Sequence, residues 1–385
     1  MTIELSRTMA FFLPILALST IATTHTEPVT LPDPQVIHVA AADGLLLVGS
    51  FYTMPDTQAP TVLLLHEPNA SQANWVALVP PIMEAGYNAL MIDLRGHGET
   101  GGEVNWEAAV DDIQTWLDWL REQPEVQTTG ISIIGADLGG SLAVIGCEND
   151  TVCLTAVVVS PVGLGCADRD CSVEIEQAGE EAVHYLDALT VNTLTAPERR
   201  SSALLLSAPN DNLSIESLRQ VSRYLSEQVQ MAVTTGERHG TELLGASGSN
   251  ALSTAIEWLD ARTPTNLTPD EIEALVAAGD PNNGETLFAE GRPDLPLEEG
   301  TPCTHCHHAD SEERDIGPGL LNISQYATNR VDGQSAAVYL YESIVAPDRY
   351  LVEGFSDSIM PPRYDKGFTE EQIGDLVAYL LSLES

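Results

Sequence analysis

Residues 131–139 read Ile131-Ser-Ile-Ile-Gly135-Ala-Asp137-Leu-Gly139. The first half is apolar without polar alternation, which suits a strand buried on both faces of a mostly parallel sheet. The second half brackets one carboxylate with two glycines, the composition of a sharp strand-to-helix turn. The same kind of run recurs at Thr61–His66 (TVLLLH), Ala89–Asp93 (ALMID), Leu154–Ser160 (LTAVVVS) and Ala203–Ser207 (ALLLS). Helical stretches lie between them. In Trp106–Arg121 the apolar positions Trp106, Ala109, Val110, Ile113, Trp116, Leu117 and Leu120 fall on one helical face. Strands alternating with helices over residues 34–262 predict a doubly wound α/β domain.

The pattern changes at Thr263–Pro269 (TPTNLTP), which reads as a linker. Thr268, Pro269 and Glu271 then supply an N-cap, a first-turn proline and a capping-box acid, so residues 263–278 read as linker and helix. From 279 to 385 the apolar runs are helical and no strand is expected. The closing helix is capped by Thr369 with Gln372 and carries Ile373, Leu376, Val377 and Leu380 on one face.

The 385 residues include 57 acidic and only 16 basic ones, for a formal net charge of -41. A single lysine, Lys366, stands among the bases. Such a surface repels phosphate backbones and anionic headgroups, so nucleic-acid binding and electrostatic attachment to lipid are excluded. With 43% hydrophobic residues, the chain still has ample material for packed cores. Residues 1–24 read as an export signal: Arg7, then the short apolar run Met9–Ala22 interrupted by Pro14, then small residues. That run is shorter than the roughly 20 residues a span needs. An uncleaved N-terminal anchor is the alternative, and the expected location is periplasmic or extracellular. In that oxidising setting Cys147, Cys153, Cys166 and Cys171 form two close pairs suited to disulfides, with buried thiols as the other reading.

The remaining cysteines sit in Cys303-Thr304-His305-Cys306-His307. The C-x-x-C-H spacing is that of covalent c-type haem attachment. Two thiols three positions apart reach the two vinyl groups of one porphyrin, and the adjacent His307 faces the iron. A redox dithiol or half of a zinc site would need a preceding strand or further cysteines, and neither is nearby. Met360, in Ile359-Met360-Pro361-Pro362, is the candidate sixth ligand, because a thioether opposite histidine raises the reduction potential. His305 and His308 are the alternatives, expected to face solvent.

Three further motifs in this region make residues 279–384 resemble class I cytochrome c domains. They are Gly284-x-x-x-Phe288, Gly317-Pro318-Gly319-Leu320 and Ala378-Tyr379-Leu380. The resemblance implies that the first and last helices cross at a small residue. It also implies that the Pro318 carbonyl accepts the N–H of His307 and orients the ring.

The first domain resembles the α/β-hydrolase family over about 230 residues. Leu65-His66 with Trp75 looks like the oxyanion-loop region, and Asp93-Leu94-Arg95-Gly96-His97-Gly98-Glu99 resembles the D-x-R-G-H-G turn. Gly135-Ala136-Asp137-Leu138-Gly139 stands where the G-x-S-x-G elbow belongs. Asp211 and His239 occupy the acid and base positions that the resemblance implies, in the family's chain order. Asp137 admits three readings. It is a nucleophile for saturated carbon, as in dehalogenases and epoxide hydrolases; or it marks a dead or binding-only site; or it forms a stabilising ion pair with His239. Glu67, where the family often has glycine, adds negative charge, and carboxylates crowding His239 favour an imidazolium. Only 161–202 is left for a cap, and it is poor in aromatics.

The expected architecture is therefore an α/β hydrolase fold followed by a small all-α cytochrome c domain holding one covalent haem c. The expected function is single-electron transfer to a partner with a basic docking patch. The hydrolase-like domain is expected to be altered or to bind a small-molecule ligand in its cleft.

Overall fold

The computed structural model describes residues 33–383, apart from 56–57, 165–179, 198, 227, 294, 296–299, 332, 356–358 and 361–363. The 1–24 segment and the Cys166/Cys171 pair lie outside the described residues.

Eight strands form one sheet in the order β1-β2-β4-β3-β5-β6-β7-β8. They are β1 (Gln35–Ala40), β2 (Leu46–Tyr52), β3 (Ala59–Leu65), β4 (Asn88–Asp93), β5 (Val126–Ala136), β6 (Cys153–Val159), β7 (Ser202–Ser207) and β8 (Val229–Val233). From β4 to β8 every pairing is parallel, and β1 and β2 add an antiparallel flank. All five apolar runs picked out above are strands of the parallel part. In β3, Val62, Leu63, Leu64 and Leu65 are all fully buried, as a strand covered on both faces requires. Strands β1, β2 and β8 were not read from the sequence; β1 and β8 alternate between exposed and half-buried positions at the sheet edges, which leaves a weaker apolar signal.

The Trp106–Arg121 helix forms as read, starting from Asn105, whose Oδ1 accepts the Ala108 N–H at 3.0 Å. All seven of its named apolar residues are buried. The D-x-R-G-H-G stretch is architectural. The Asp93 carboxylate accepts the backbone N–H groups of Gln72 and Glu99, both at 2.8 Å. Arg95 grips Asp112 through two bonds of 2.7 Å each and also reaches Asp43. A disulfide joins Cys147, near the end of the Leu138–Asn149 helix, to Cys153 at the start of β6.

The direction of chain winding reverses between β3 and β5, whose ends lie level through the Leu65–Gly135 pairing. In open α/β sheets the crevice at such a reversal, beyond the carboxyl ends of the strands, is where ligands bind. His66 follows β3 there and Asp137 follows β5.

Beyond Arg262 the described residues contain helices and no strand. Helices Pro269–Ala278 and Glu370–Leu381 both open on capping boxes, from Thr268/Glu271 and Thr369/Gln372. The Pro281–Glu290 helix crosses Glu370–Leu381 at Gly284, where a Cβ would meet the Asp375 carbonyl oxygen at 2.1 Å. That close approach brings Phe288 against Tyr379, ring centroids 5.5 Å apart. Ile272 and Val276 join Leu287, Phe288, Leu376 and Leu380 in a second apolar core.

Candidate functional site

Two sites follow from these frames. In the first, Asp137 sits at the turn from β5 into the Leu138–Asn149 helix with φ 54, a left-handed conformation that is strained for a side chain. The turn survives because its neighbours are glycine. A Cβ on Gly135 would lie 2.2 Å from the Gly139 carbonyl oxygen, and one on Gly139 would lie 2.5 Å from that of His66. His239 links the two carboxylates: Nδ1 bonds Asp211 Oδ2 at 2.8 Å and Nε2 bonds Asp137 Oδ2 at 3.2 Å. The three residues are therefore assembled in the order acid, imidazole, carboxylate.

Their electrostatics are unlike those of a hydrolytic base. Burial disfavours a charged His239 ring, but the hydrogen bonds and charges of Asp137 and Asp211 outweigh it and hold the imidazole pushed up to about 10. At neutral pH it is an imidazolium donating through both nitrogens. Burial pushes the Asp137 carboxyl up, against the hydrogen bond from His239. Burial also acts to raise Asp211, yet its bonds to His239 and Ser160 hold it below the usual carboxylate range. Asp137 is only 4% exposed, so little of its carboxylate is open to a substrate.

Glu67 lies beside this group. Its Oε1 accepts the Thr241 hydroxyl at 2.8 Å and the Asn74 amide at 3.1 Å. Its Oε2 is buried and has no hydrogen-bond partner among the described residues. His66 does not take part: its Nε2 accepts the Leu94 N–H at 3.0 Å, so Nδ1 carries the proton it donates to Glu67 O at 2.7 Å. His97 is a turn residue with its ring edge-on to His66. Sequence reasoning missed Ser160. It has φ 52, and its Oγ accepts the Gly240 N–H at 3.0 Å, so it holds the loop that carries His239. The only signal was a polar residue ending an apolar run just before Pro161.

The second site is a cavity of about 390 Å³ in the helical part. Cys303, Cys306, His307, Pro318 and Met360 all line it, with Phe288, Leu376 and Leu380 closing its apolar wall. Cys303–His305 is a short 3-10 turn, and the Cys306 and His307 N–H groups both bond the Cys303 carbonyl, which turns both sulfurs and the imidazole to one side. His307 Nδ1 donates to the Pro318 carbonyl at 2.8 Å, leaving Nε2 as the lone-pair nitrogen. Burial lowers the His307 pKa, keeping the ring neutral, and pushes the Cys303 thiol up to about 12. Gly317 lies flat on the ring; a Cβ there would be 2.4 Å from His307 Cε1. His305 and His308 are exposed and do not line the cavity. Two thiols, a neutral imidazole with a free lone pair and a thioether around one apolar cavity fit a c-type haem.

A model of the Alpha/beta hydrolase family matches residues 62–314, and a Cytochrome c model matches 282–384. Among curated proteins, YfhR of Escherichia coli O157:H7 is 30% identical over 138 residues, covering 33% of this chain and 48% of that protein. The alpha/beta hydrolase domain-containing protein WAV2 of Arabidopsis thaliana is 26% identical over 125 residues, covering 32% and 41%. The chain thus spans less than half the length of these curated relatives. Among solved structures, the Pyrococcus furiosus esterase Pf2001 aligns at TM-score 0.47 and 17% identity, covering 60% of this chain and 93% of that one.

Proposed function

Since the chain belongs to the alpha/beta hydrolase family and carries a cytochrome c domain, we propose that it is an exported monohaem c-type cytochrome. It passes single electrons, and its hydrolase-family domain binds rather than hydrolyses. The observation that carries this is the single cavity shared by Cys303, Cys306, His307 and Met360. In this reading Cys303 and Cys306 would attach one haem covalently, and His307 Nε2 and Met360 Sδ would be the ligands of its iron. The bound iron supplies one-electron chemistry between its ferric and ferrous states. Pro318 fixes the His307 ring and makes it a better donor, Gly317 admits the loop against that ring, and the apolar wall excludes water. Among the described residues no helix is long and apolar enough to cross a membrane, which is compatible with export. The test is a reduced-minus-oxidised absorption spectrum of protein matured in a host that attaches haem c. A haem c spectrum with both thiols blocked to alkylation is expected; a colourless protein, or two alkylatable thiols, overturns the assignment.

The binding-only reading of the first domain rests on the buried Asp137 and the His239 imidazolium. Together they remove nucleophile access and base. The 3.2 Å contact between Asp137 and His239 supports a second reading, in which Asp137 attacks a saturated carbon and His239 assists hydrolysis of the resulting ester. Mass spectrometry after exposure to a panel of haloalkanes and epoxides separates them: an alkyl adduct on Asp137 that Asp137→Ala abolishes establishes the second reading. An electron partner with a basic docking patch completes the proposal, as the charge of -41 favours.

A further inference from the structure

The two halves are joined by a buried ion pair that neither site has absorbed. Arg262, just after the Ala251–Asp260 helix, faces Asp348 with Nη1 3.2 Å from Oδ2, side chains 6% and 2% exposed. The guanidinium lies 3.2 Å from the Trp258 ring centroid, and its Nε donates to Ser202 Oγ at 3.0 Å. The Trp258 indole in turn donates to Thr155 Oγ1 at 2.7 Å. The Asp348 N–H bonds the Ala261 carbonyl at 3.1 Å. Asp348 also lines the cavity around His307, with Pro347, Tyr350 and Leu351 of the same segment. A buried wall residue of the haem cavity is therefore held, by both charge and backbone, from the hydrolase-family half.

We propose that Arg262 is a positioning residue for the haem cavity, anchoring the Pro347–Leu351 wall and neutralising the Asp348 charge beside it. The inference rests on the haem reading above. It makes the hydrolase-family domain a structural part of the redox site, which gives a physical reason for the two halves to share one chain.

The sign of the charge supplies the test, because a ferric centre carries one more positive charge than a ferrous one. Arg262→Gln removes a positive charge beside the cavity, which favours the ferric state and lowers the midpoint potential. Asp348→Asn removes a negative charge there and raises it. Full-length holoprotein is titrated potentiometrically for the wild type, both single variants and the double variant. A change of at least threefold in the ferric-to-ferrous ratio at fixed potential is expected for each single variant, about 28 mV at 59 mV per tenfold. The shifts are expected to be opposite in sign and largely cancelled in the double variant. Shifts of the same sign in both, as general loosening of the cavity produces, or no shift in either, overturn the proposal. Should the single variants fail to accumulate as holoprotein, the wild type supplies a second arm. The shift of the haem absorption band and the change in tryptophan fluorescence on denaturation are expected to coincide, and a band shift completed before the sheet unfolds overturns the anchoring. A colourless preparation overturns the haem reading and this inference with it; coloured protein with unmoved potentials overturns this inference alone.

Discussion

At the scale of single residues, the replacement of the elbow serine position by Asp137 changes what the other two members do. Two carboxylates hydrogen-bonded to one ring favour its protonated form over the opposing effect of burial, so His239 is pushed up to about 10 from its ordinary 6.5. A raised histidine stabilises the fold most below its unfolded value and loses that contribution as pH rises through the folded value. Asp211, held low, adds its share only above the ordinary carboxylate value of 3.8 and loses it on acidification. The difference in denaturation midpoint between wild type and His239→Gln is therefore expected to be widest between about pH 4 and 6.5, and to shrink towards pH 10. A gap unchanged from pH 6 to pH 10 would show that the imidazolium is not what ties this site together. The placement of Asp211 and His239 beside Asp137 was legible because short motifs and chain order mark them. Ser160 was not, since nothing in a lone serine announces a positive φ or a bond to a loop 80 positions later.

At the scale of elements, legibility followed burial on both faces. The five central strands are continuous apolar runs because helices cover both sides of the sheet, whereas the edge strands β1 and β8 carry exposed positions that dilute the pattern. Helices announced themselves through period and caps, and both capping boxes form. The helix crossing at Gly284 makes a sharp demand on sequence. A methyl group there would lie 2.1 Å from the Asp375 oxygen and 2.7 Å from Tyr379 Cβ, neither of which can swing away. Gly284→Ala is expected to destabilise the helical half by about 1–3 kcal/mol, as overpacking does, and to separate Phe288 from Tyr379. Denaturation followed at the haem band checks this, and a stability equal to wild type within error would mean that the helices pass each other more loosely.

At the scale of the whole molecule, the Asp137 group and the Arg262 seam lie toward opposite ends of one sheet. Thr155 and Ser202, which brace Trp258 and Arg262 at the seam, stand near the amino ends of β6 and β7, while Ser160 and Asp211 follow their carboxyl ends. Five strand steps at about 3.3 Å each put roughly 16 Å of sheet between them. The Asp137 group is thus expected to be electrically remote from the haem: Asp137→Ala should leave the midpoint potential unmoved while Arg262→Gln shifts it, and a comparable shift from both would contradict the layout. The net charge acts at longer range. Association with a cationic redox partner is expected to slow as salt is added from about 10 to 200 mM, since the Debye length contracts from about 30 Å towards 8 Å. Stopped-flow rates indifferent to ionic strength would remove the electrostatic part of the docking idea.

The order of the central strands and their helices, the change from strand-bearing to helical halves and the C-x-x-C-H residues of the cavity were all determined by the sequence itself. Each depends on local spacing: apolar period, capping residues, or two thiols and an imidazole within five positions. Tertiary structure alone decided that Ser160 Oγ holds the Gly240 N–H beside His239, that the helix at Pro269 packs into the apolar core of the helical half, and that Arg262 pairs with Asp348 beside the Cys303–His307 cavity. Those outcomes join residues tens to hundreds of positions apart, and what selects them is the desolvation of charge in a closed space, a quantity that exists only once the chain has folded around it.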